Sequence, residues 1–229
     1  MKISEIYEYA DKIGLLTFST IVGDEVHSRI AHLNGYDDDG IYFRTMSNKP
    51  YGRQLRESGR VTICGHYGGG ILNHDDVGAE PIFAPGYSFR LIGEVCYVAP
   101  EVIIEKAESN PMLEVAARDI ASYPAMAEGN FVIHKAKGEI FDYDFAKIHR
   151  SHKLLRTRFA FGGATYNPAG VRIDHDRCVA CGVCHETCSF DAISLADNGK
   201  YSVLSERCDD CGSCLLKCPV EAILPSLTF

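Results

Sequence analysis

Through the first 145 residues, apolar and polar positions alternate in runs of strand length: Leu15 to Ile21, Val26 to Leu33, Ile41 to Thr45, Val61 to His66, Phe89 to Val98, Phe131 to His134 and Gly138 to Phe145. β-Branched and aromatic residues dominate these runs. Turn signals such as Val22-Gly23-Asp24 and Tyr36-Asp37-Asp38-Asp39-Gly40 separate them. One helix is predicted from Pro50 to about Glu57, with Pro50 suited to the first turn, where its missing N–H is not needed. A second should follow Pro100, where Val102, Ile103, Lys106 and Ala107 keep a helical period. Many strands with few helices predict a barrel, mainly β with an α+β element.

Composition narrows the class. With 229 residues, 46% hydrophobic and 24% charged, the chain has enough apolar surface to build a core, which excludes disorder. It carries 23 Lys and Arg against 31 Asp and Glu, a formal charge of −8, which argues against a general nucleic-acid binder. No apolar run reaches the roughly 18 residues of a membrane span. Glu5, Glu8 and Asp11 stand where a signal peptide needs its apolar stretch, so a cytoplasmic location without membrane attachment is expected.

The anomaly is cysteine. Two of the ten, Cys64 and Cys96, sit alone in apolar runs and read as small core residues. The other eight are Cys178, Cys181, Cys184 and Cys188, then Cys208, Cys211, Cys214 and Cys218. Each set reads C-x2-C-x2-C-x3-C, and the second repeats the first at an offset of 30 residues. Arg177 matches Arg207, and Asp191-Ala192-Ile193 matches Glu221-Ala222-Ile223, so the segment is an internal duplication. Zinc sites usually pair two C-x2-C units around four ligands, which would leave the third cysteine of each loop redundant. Three thiolates on one tight loop instead suit one iron–sulfur cube whose fourth ligand comes from elsewhere.

Residues 171–229 resemble a bacterial two-cluster ferredoxin domain. In that pattern the fourth ligand belongs to the other motif. The resemblance therefore implies one [4Fe–4S] cluster on Cys178, Cys181, Cys184 and Cys218, and a second on Cys208, Cys211, Cys214 and Cys188. Gly182 and Gly212 supply permissive backbone in each loop. Pro219 follows Cys218 as the pattern expects, whereas Ser189 stands where the first motif should have its proline. The segment holds nine acids and five Lys or Arg, which would steer a basic or mixed-charge electron partner towards it.

A second resemblance concerns residues 28–61, SRIAHLNGYDDDGIYFRTMSNKPYGRQLRESGRV. The stretch is similar to the pyridoxamine 5′-phosphate oxidase-like family, the FMN-binding split β-barrels, and the similarity extends over about residues 5–145. It implies that Arg29 and Lys49 contact the flavin phosphate, with Thr45 and Ser47 as hydroxyl partners beside Arg44. Backbone around Ile30 and Ala31 would face the ring system. Asn48 replaces an arginine found in some members, and SFRLIGEVCYV matches a later strand that offers Ser88 to the ring. Phosphate recognition needs fixed cations and donors close together, and a helix N-terminus adds positive potential. The plain alternative is that 44–49 is a polar turn carrying a solvated lysine.

Other nucleotide signatures are missing: there is no G-x-G-x-x-G and no G-x-x-x-x-G-K-[ST]. His66, His74, Asp75 and Asp76 form a metal-like group that reads as a loop insertion, at most an active-site rim. His32, His66, Tyr67 and Arg158 are named only as groups that would approach a flavin. From Ala146 to Tyr166 the chain carries Lys147, Arg150, Lys153, Arg156 and Arg158 with no acid, a local reversal of sign. The bland reading is a solvated helical linker. The others are a dock for the acidic cluster domain and a lining for an anionic substrate.

The expected organisation is an FMN-binding split β-barrel over 1–146, a basic connector over 147–170 and a ferredoxin domain with two [4Fe–4S] clusters over 171–229. The expected function is an oxidoreductase that passes single electrons through the clusters to FMN for two-electron reduction of a small organic substrate. Its external donor or acceptor would be a ferredoxin, a flavodoxin or a reductase, and the barrel family implies a homodimer. The alternatives are a flavoredoxin-like carrier or redox sensor without a substrate, and a barrel that binds a deazaflavin or haem.

Overall fold

The computed structural model describes residues 1–68, 75–79, 85–143, 154–168 and 170–226. Helix α1 (Ile3–Ile13) is followed by strands β1 (Leu16–Val22), β2 (Glu25–Ala31), β3 (Leu33–Asp37) and β4 (Gly40–Arg44). Helix α2 (Pro50–Ser58) leads into β5 (Arg60–Gly68) and β6 (Gly86–Tyr97). Then come α3 (Pro100–Ala107), a single 3-10 turn (Pro111–Leu113), α4 (Glu114–Ser122) and α5 (Pro124–Ala127). Strands β7 (Asn130–Tyr143) and β8 (Leu154–Phe161) complete an eight-stranded sheet in the order β2-β1-β5-β6-β7-β4-β3, with β8 paired to β7. The cysteine-rich remainder contains β9 (Arg172–Ile173), α6 (Val183–Thr187), β10 (Ile193–Leu195), β11 (Tyr201–Val203), α7 (Ser213–Lys217) and β12 (Ile223–Leu224). The fold is mainly β with an α+β part.

Two compact units divide the chain: Met1–His66 with Phe89–Gly138 and Phe159–Thr165, and Tyr67–Ser88 with Glu139–Arg158 and Tyr166–Phe229. In the first, the turn residues do what their chemistry allows. Val22 pairs with Glu25 and Asp37 with Gly40, so each hairpin closes over two residues. Gly40 sits at a φ of 146°, and a Cβ there would run into the Ile133 carbonyl of the neighbouring β7. Side chains of Ile41, Tyr42 and Phe43 on β4 are all buried because both faces are covered. Phe43 packs on Phe18 and Phe131 at ring separations of 5.2 and 5.7 Å, while Tyr42 joins Ile103, Leu113, Ala116 and Val132 beneath α3 and α4. Lys106 of α3 reaches Asp37 and Asp39 at 2.6 Å each and ties that helix to the β3–β4 hairpin.

In the second unit the duplication is visible in the backbone. Ala180 and Asp210 have φ of 57° and 58°, Asp191 and Glu221 of 49° and 50°, and Gly182 and Gly212 of 82° and 73°. Four of these six are not glycine, and each left-handed non-glycine residue costs on the order of 1–3 kcal/mol. Cys184, Cys214, Val171, Ile193 and Ile223 form the small core.

Several expectations are corrected. The runs beginning at Phe131 and at Gly138 are one strand, β7, as far as Tyr143, and Gly138 within it lies against the Phe159 ring and the Arg90 carbonyl, where no side chain fits; residues 144 and 145 lie outside the described residues. The run from Val26 to Leu33 is two strands, broken at His32. Within the basic connector, Leu154–Phe161 form strand β8, not a helix. Cys64 and Cys96 are exposed, because the alternation turns Val61, Ile63 and Val95 inward and the cysteines outward. Helices α1 and α4 were not anticipated. Among the described residues no helix is long and apolar enough to cross a membrane.

Candidate functional site

Two sites emerge, one in each unit. In the first, β2, β3, β4 and the start of α2 surround a cleft of about 570 Å³, within the usual 300–1,000 Å³ of small-molecule and cofactor sites. Arg29, Ile30, Ala31, Arg44, Thr45 and Lys49 line it, together with His32, Asn34, Pro50, Tyr51, Met46 and Met126. The sequence-derived candidates Ser47, Asn48 and Ser88 do not. Ser47 turns away, its N–H and hydroxyl donating to the Ala125 carbonyl at 2.9 and 3.2 Å. Asn48 is exposed in the turn, and Ser88 lies on β6.

The cleft's cations differ in kind. Arg29 is fixed: Nη1 donates to Thr20 Oγ1 at 2.8 Å, Nη2 donates to Gln54 Oε1 at 2.7 Å, and the guanidinium lies 4.1 Å over the Tyr51 ring. Thr20 donates in turn to Gln54 at 2.8 Å, so the guanidinium is held by a strand and a helix at once. Burial pulls Arg29 below its usual pKa, with Tyr51 pushing back; an arginine stays charged through such a change. Arg44 is already neutralised by Asp119 at 2.7 Å. Lys49 is exposed at the N-cap of α2.

Two buried polar atoms at this cleft, Asn34 Oδ1 and Tyr51 Oη, have no hydrogen-bond partner among the described residues. A buried polar group left so costs about 1–3 kcal/mol. The cleft thus presents a fixed cation, an exposed one, an unsatisfied acceptor, an unsatisfied hydroxyl and apolar backing. That donor set fits a planar ligand with an anionic arm, and FMN satisfies it. Asn34, Tyr51 and Gln54 were missed from sequence. Gln54 had left one signal: it is the polar member of the buried face of α2, with Tyr51 and Leu55. A second cleft in this unit, of about 330 Å³ between Arg60, Glu94 and Lys135, has Lys135 paired to Glu94 at 3.0 Å.

The second unit gathers the thiols. Cys178, Cys181, Cys184 and Cys218 line one small cavity with Ile173, Tyr201 and Ile223. Cys214 lies within electrostatic reach of Cys208, Cys188 and Cys211, and burial followed by these neighbours pushes its thiol up to about 11. Both quartets that the ferredoxin pattern implies are thus brought together, each taking one cysteine from the other repeat. Among the described residues no three His, Cys, Asp or Glu side chains converge as ligands of a single ion. Backbone N–H groups of Ala180 and Asp210 donate to Cys178 and Cys208 at 3.4 Å, and those of Ala192 and Ala222 to Cys188 and Cys218 at 3.3 and 3.2 Å. Hydrogen bonds to sulfur are a determinant of cluster potential, and the left-handed residues Ala180 and Asp210 supply two of them. Among the groups named as possible flavin neighbours, Arg158 is committed to Glu139 at 3.2 Å and to the Asn167 carbonyl. His74, Lys147, Arg150 and Lys153 lie outside the described residues.

The class defined by the second site is matched by its sequence: residues 171–224 fit the family described as a 4Fe-4S dicluster domain, and the chain carries such a domain there. Over 53 residues it is 45% identical to a ferredoxin of Pyrobaculum islandicum, covering 23% of this chain and 50% of the ferredoxin. Over 51 residues it is 35% identical to pyruvate synthase subunit PorD of Methanocaldococcus jannaschii, covering 22% and 59%. The chain thus spans about half the length of the curated relatives it matches.

Solved structures are similar over the larger part. They include a nimC/nimA family protein of Clostridium acetobutylicum (16% identity, 68% of this chain and 92% of that one, TM-score 0.44). A pyridoxamine 5′-phosphate oxidase-related, FMN-binding protein of Nostoc punctiforme follows (12%, 69% and 94%, 0.40). The FAD- and haem-binding protein of Mycobacterium smegmatis gives 14%, 57% and 65%, and 0.41.

Proposed function

We propose that this chain is a flavin- and iron–sulfur-dependent oxidoreductase: the dicluster domain carries single electrons, and the cleft of the first unit holds FMN for two-electron reduction of a small organic substrate. The observation that carries the flavin half is the cleft itself, where Arg29 is fixed in advance and Asn34 and Tyr51 await partners. Arg29 and Lys49 would hold the phosphate, and Thr45 and the start of α2 would add donors. Bound FMN supplies the chemistry that thiolate-held clusters lack, exchange of electrons in pairs as well as singly.

The protein's own contribution is placement. The Thr20–Arg29–Gln54 triad keeps the cation from rotating away, and Tyr51 stacks beneath it while joining the Phe18–Phe43 core. The clusters exchange electrons with an external carrier of basic or mixed charge, complementary to the acidic domain. The working form is a homodimer, a reading supported by Val26 and Ile30, which stand 66% and 60% exposed on the edge strand β2.

The test is the content of anaerobically purified, tag-free protein. Iron and sulfide assays with chromatography of the released organic cofactor should find about eight irons and one FMN per chain, and sedimentation should find a dimer. Eight irons without flavin would overturn the oxidoreductase and leave a bare electron carrier. A deazaflavin or haem in the extract would replace FMN in the cleft.

A further inference from the structure

We infer that Arg156 and Asp210 act as a charge pair that sets the reduction potential of the second cluster alone, making the two halves of the duplication unequal. The inference rests on the cluster assignment above, and it begins where the repeat breaks. The first loop reads Cys178-Val179-Ala180-Cys181, the second Cys208-Asp209-Asp210-Cys211. Ala180 and Asp210 share one backbone conformation and the same N–H···S bond, so the duplication kept the geometry while Asp209 and Asp210 put two carboxylates on one side only, of which Asp210 takes the Ala180 position.

That carboxylate is not solvated freely. Asp210 Oδ2 accepts from Arg156 Nη1 at 2.6 Å, and Oδ1 is buried with no hydrogen-bond partner among the described residues. Arg156 is 8% exposed. The same Nη1 lies 3.4 Å from Glu139 on β7, the guanidinium sits 4.3 Å over the Phe141 ring, and the Arg156 N–H donates to the Glu206 carbonyl at 2.8 Å. Arg158, two residues along β8, holds the same Glu139 at 3.2 Å. Among the described residues, Arg156, Arg158, Glu139 and Asp210 thus join in one largely buried network at one end of the Cys208 loop. Both Asp210 and Arg156 are within electrostatic reach of the Cys208 sulfur.

A cluster gains one negative charge on reduction, so a nearby cation favours the reduced form and a nearby anion opposes it. At low local dielectric, removing one member of a balanced pair leaves a full uncompensated charge beside the sulfur. The first loop has no such pair: Val179, Ala180 and Val183 carry no charge, and the cation there is Lys200, which donates to the Cys178 carbonyl.

The experiment is EPR-monitored potentiometry of the full-length protein after iron and sulfide analysis. R156Q should shift one of the two reduction waves downward, by at least a tenfold change in the reduced-to-oxidised ratio at fixed potential, ~59 mV for one electron. D210N keeps the shape and tolerates the left-handed backbone; it should shift the same wave upward. The double variant, neutral again, should return close to the wild type. A180D, an unpaired carboxylate at the equivalent place, should lower the other wave.

Waves that stay put in cluster-loaded R156Q and D210N, or two waves that move together, would overturn the inference. D210N stands by itself if R156Q loses its fold. Wild-type protein that takes up no clusters would instead refute the underlying assignment.

Discussion

On the proposed function, Tyr51 Oη is a single atom whose placement carries an energetic cost in the unliganded chain. A tyrosine hydroxyl buried without a partner destabilises the unliganded chain by about 1–3 kcal/mol, and Tyr51 Oη is such a group. Tyr51→Phe removes the orphan and keeps the ring under Arg29. The flavin-free variant should be more stable than the flavin-free parent by about 1 kcal/mol, and it should bind FMN about 2–10-fold more weakly, one hydrogen bond's worth. Denaturant unfolding and fluorescence binding read the two effects, and a variant that loses stability without losing affinity would show the hydroxyl to be structural.

At this scale the sequence was legible where chemistry is local. The spacing of Cys178 to Cys188 and of Cys208 to Cys218 pointed to the dicluster domain that the family match places at 171–224, because three thiols on one loop have few other uses. It was silent where partners meet across the fold. Thr20, Arg29 and Gln54 are far apart in the chain, and nothing in 28–61 reveals that Arg44 is spent on Asp119 of α4.

The elements follow local pattern wherever one face is buried and the other is not. The alternation of β1 and β5 and the Pro50 and Pro100 helix starts were readable for that reason. Strand β8 was not, because its inward positions are polar. Arg156 and Arg158 are buried by pairing with Glu139, and a run of basic residues without acids then imitates a solvated linker.

Close approach between elements leaves an equally weak trace. Gly129, at the turn before β7, accepts from the Thr45 N–H at 2.9 Å, and a Cβ there would land on the Thr45 carbonyl. Gly129→Ala should therefore destabilise the chain by about 1–3 kcal/mol, displace the 45–49 segment and lower flavin retention while leaving the iron content intact. Thermal unfolding with cofactor analysis checks this, and an unchanged melting temperature would contradict the close packing assigned to that turn.

For the molecule as a whole, the proposed function divides the chemistry between the two units: a duplicated cysteine-rich fold for single electrons and a cleft for a flavin. The dicluster domain over 171–224 was legible from its duplicated cysteine spacing and from Gly182 and Gly212, whereas the left-handed Ala180, Asp191, Asp210 and Glu221 left no sign in residue type. The first unit was legible as a class of fold and only partly as a site, because its cleft is assembled from strands and a helix that no short motif links.

The central claim is that both kinds of redox centre serve one chain. Rapid anaerobic mixing with a limiting one-electron reductant, following cluster and flavin absorbance together, tests it most directly. The account predicts that clusters bleach first and that flavin then reduces in a first-order phase whose rate does not depend on protein concentration. Flavin reduction that is second order in protein, or a fully cluster-loaded protein with no flavin to reduce, would contradict it.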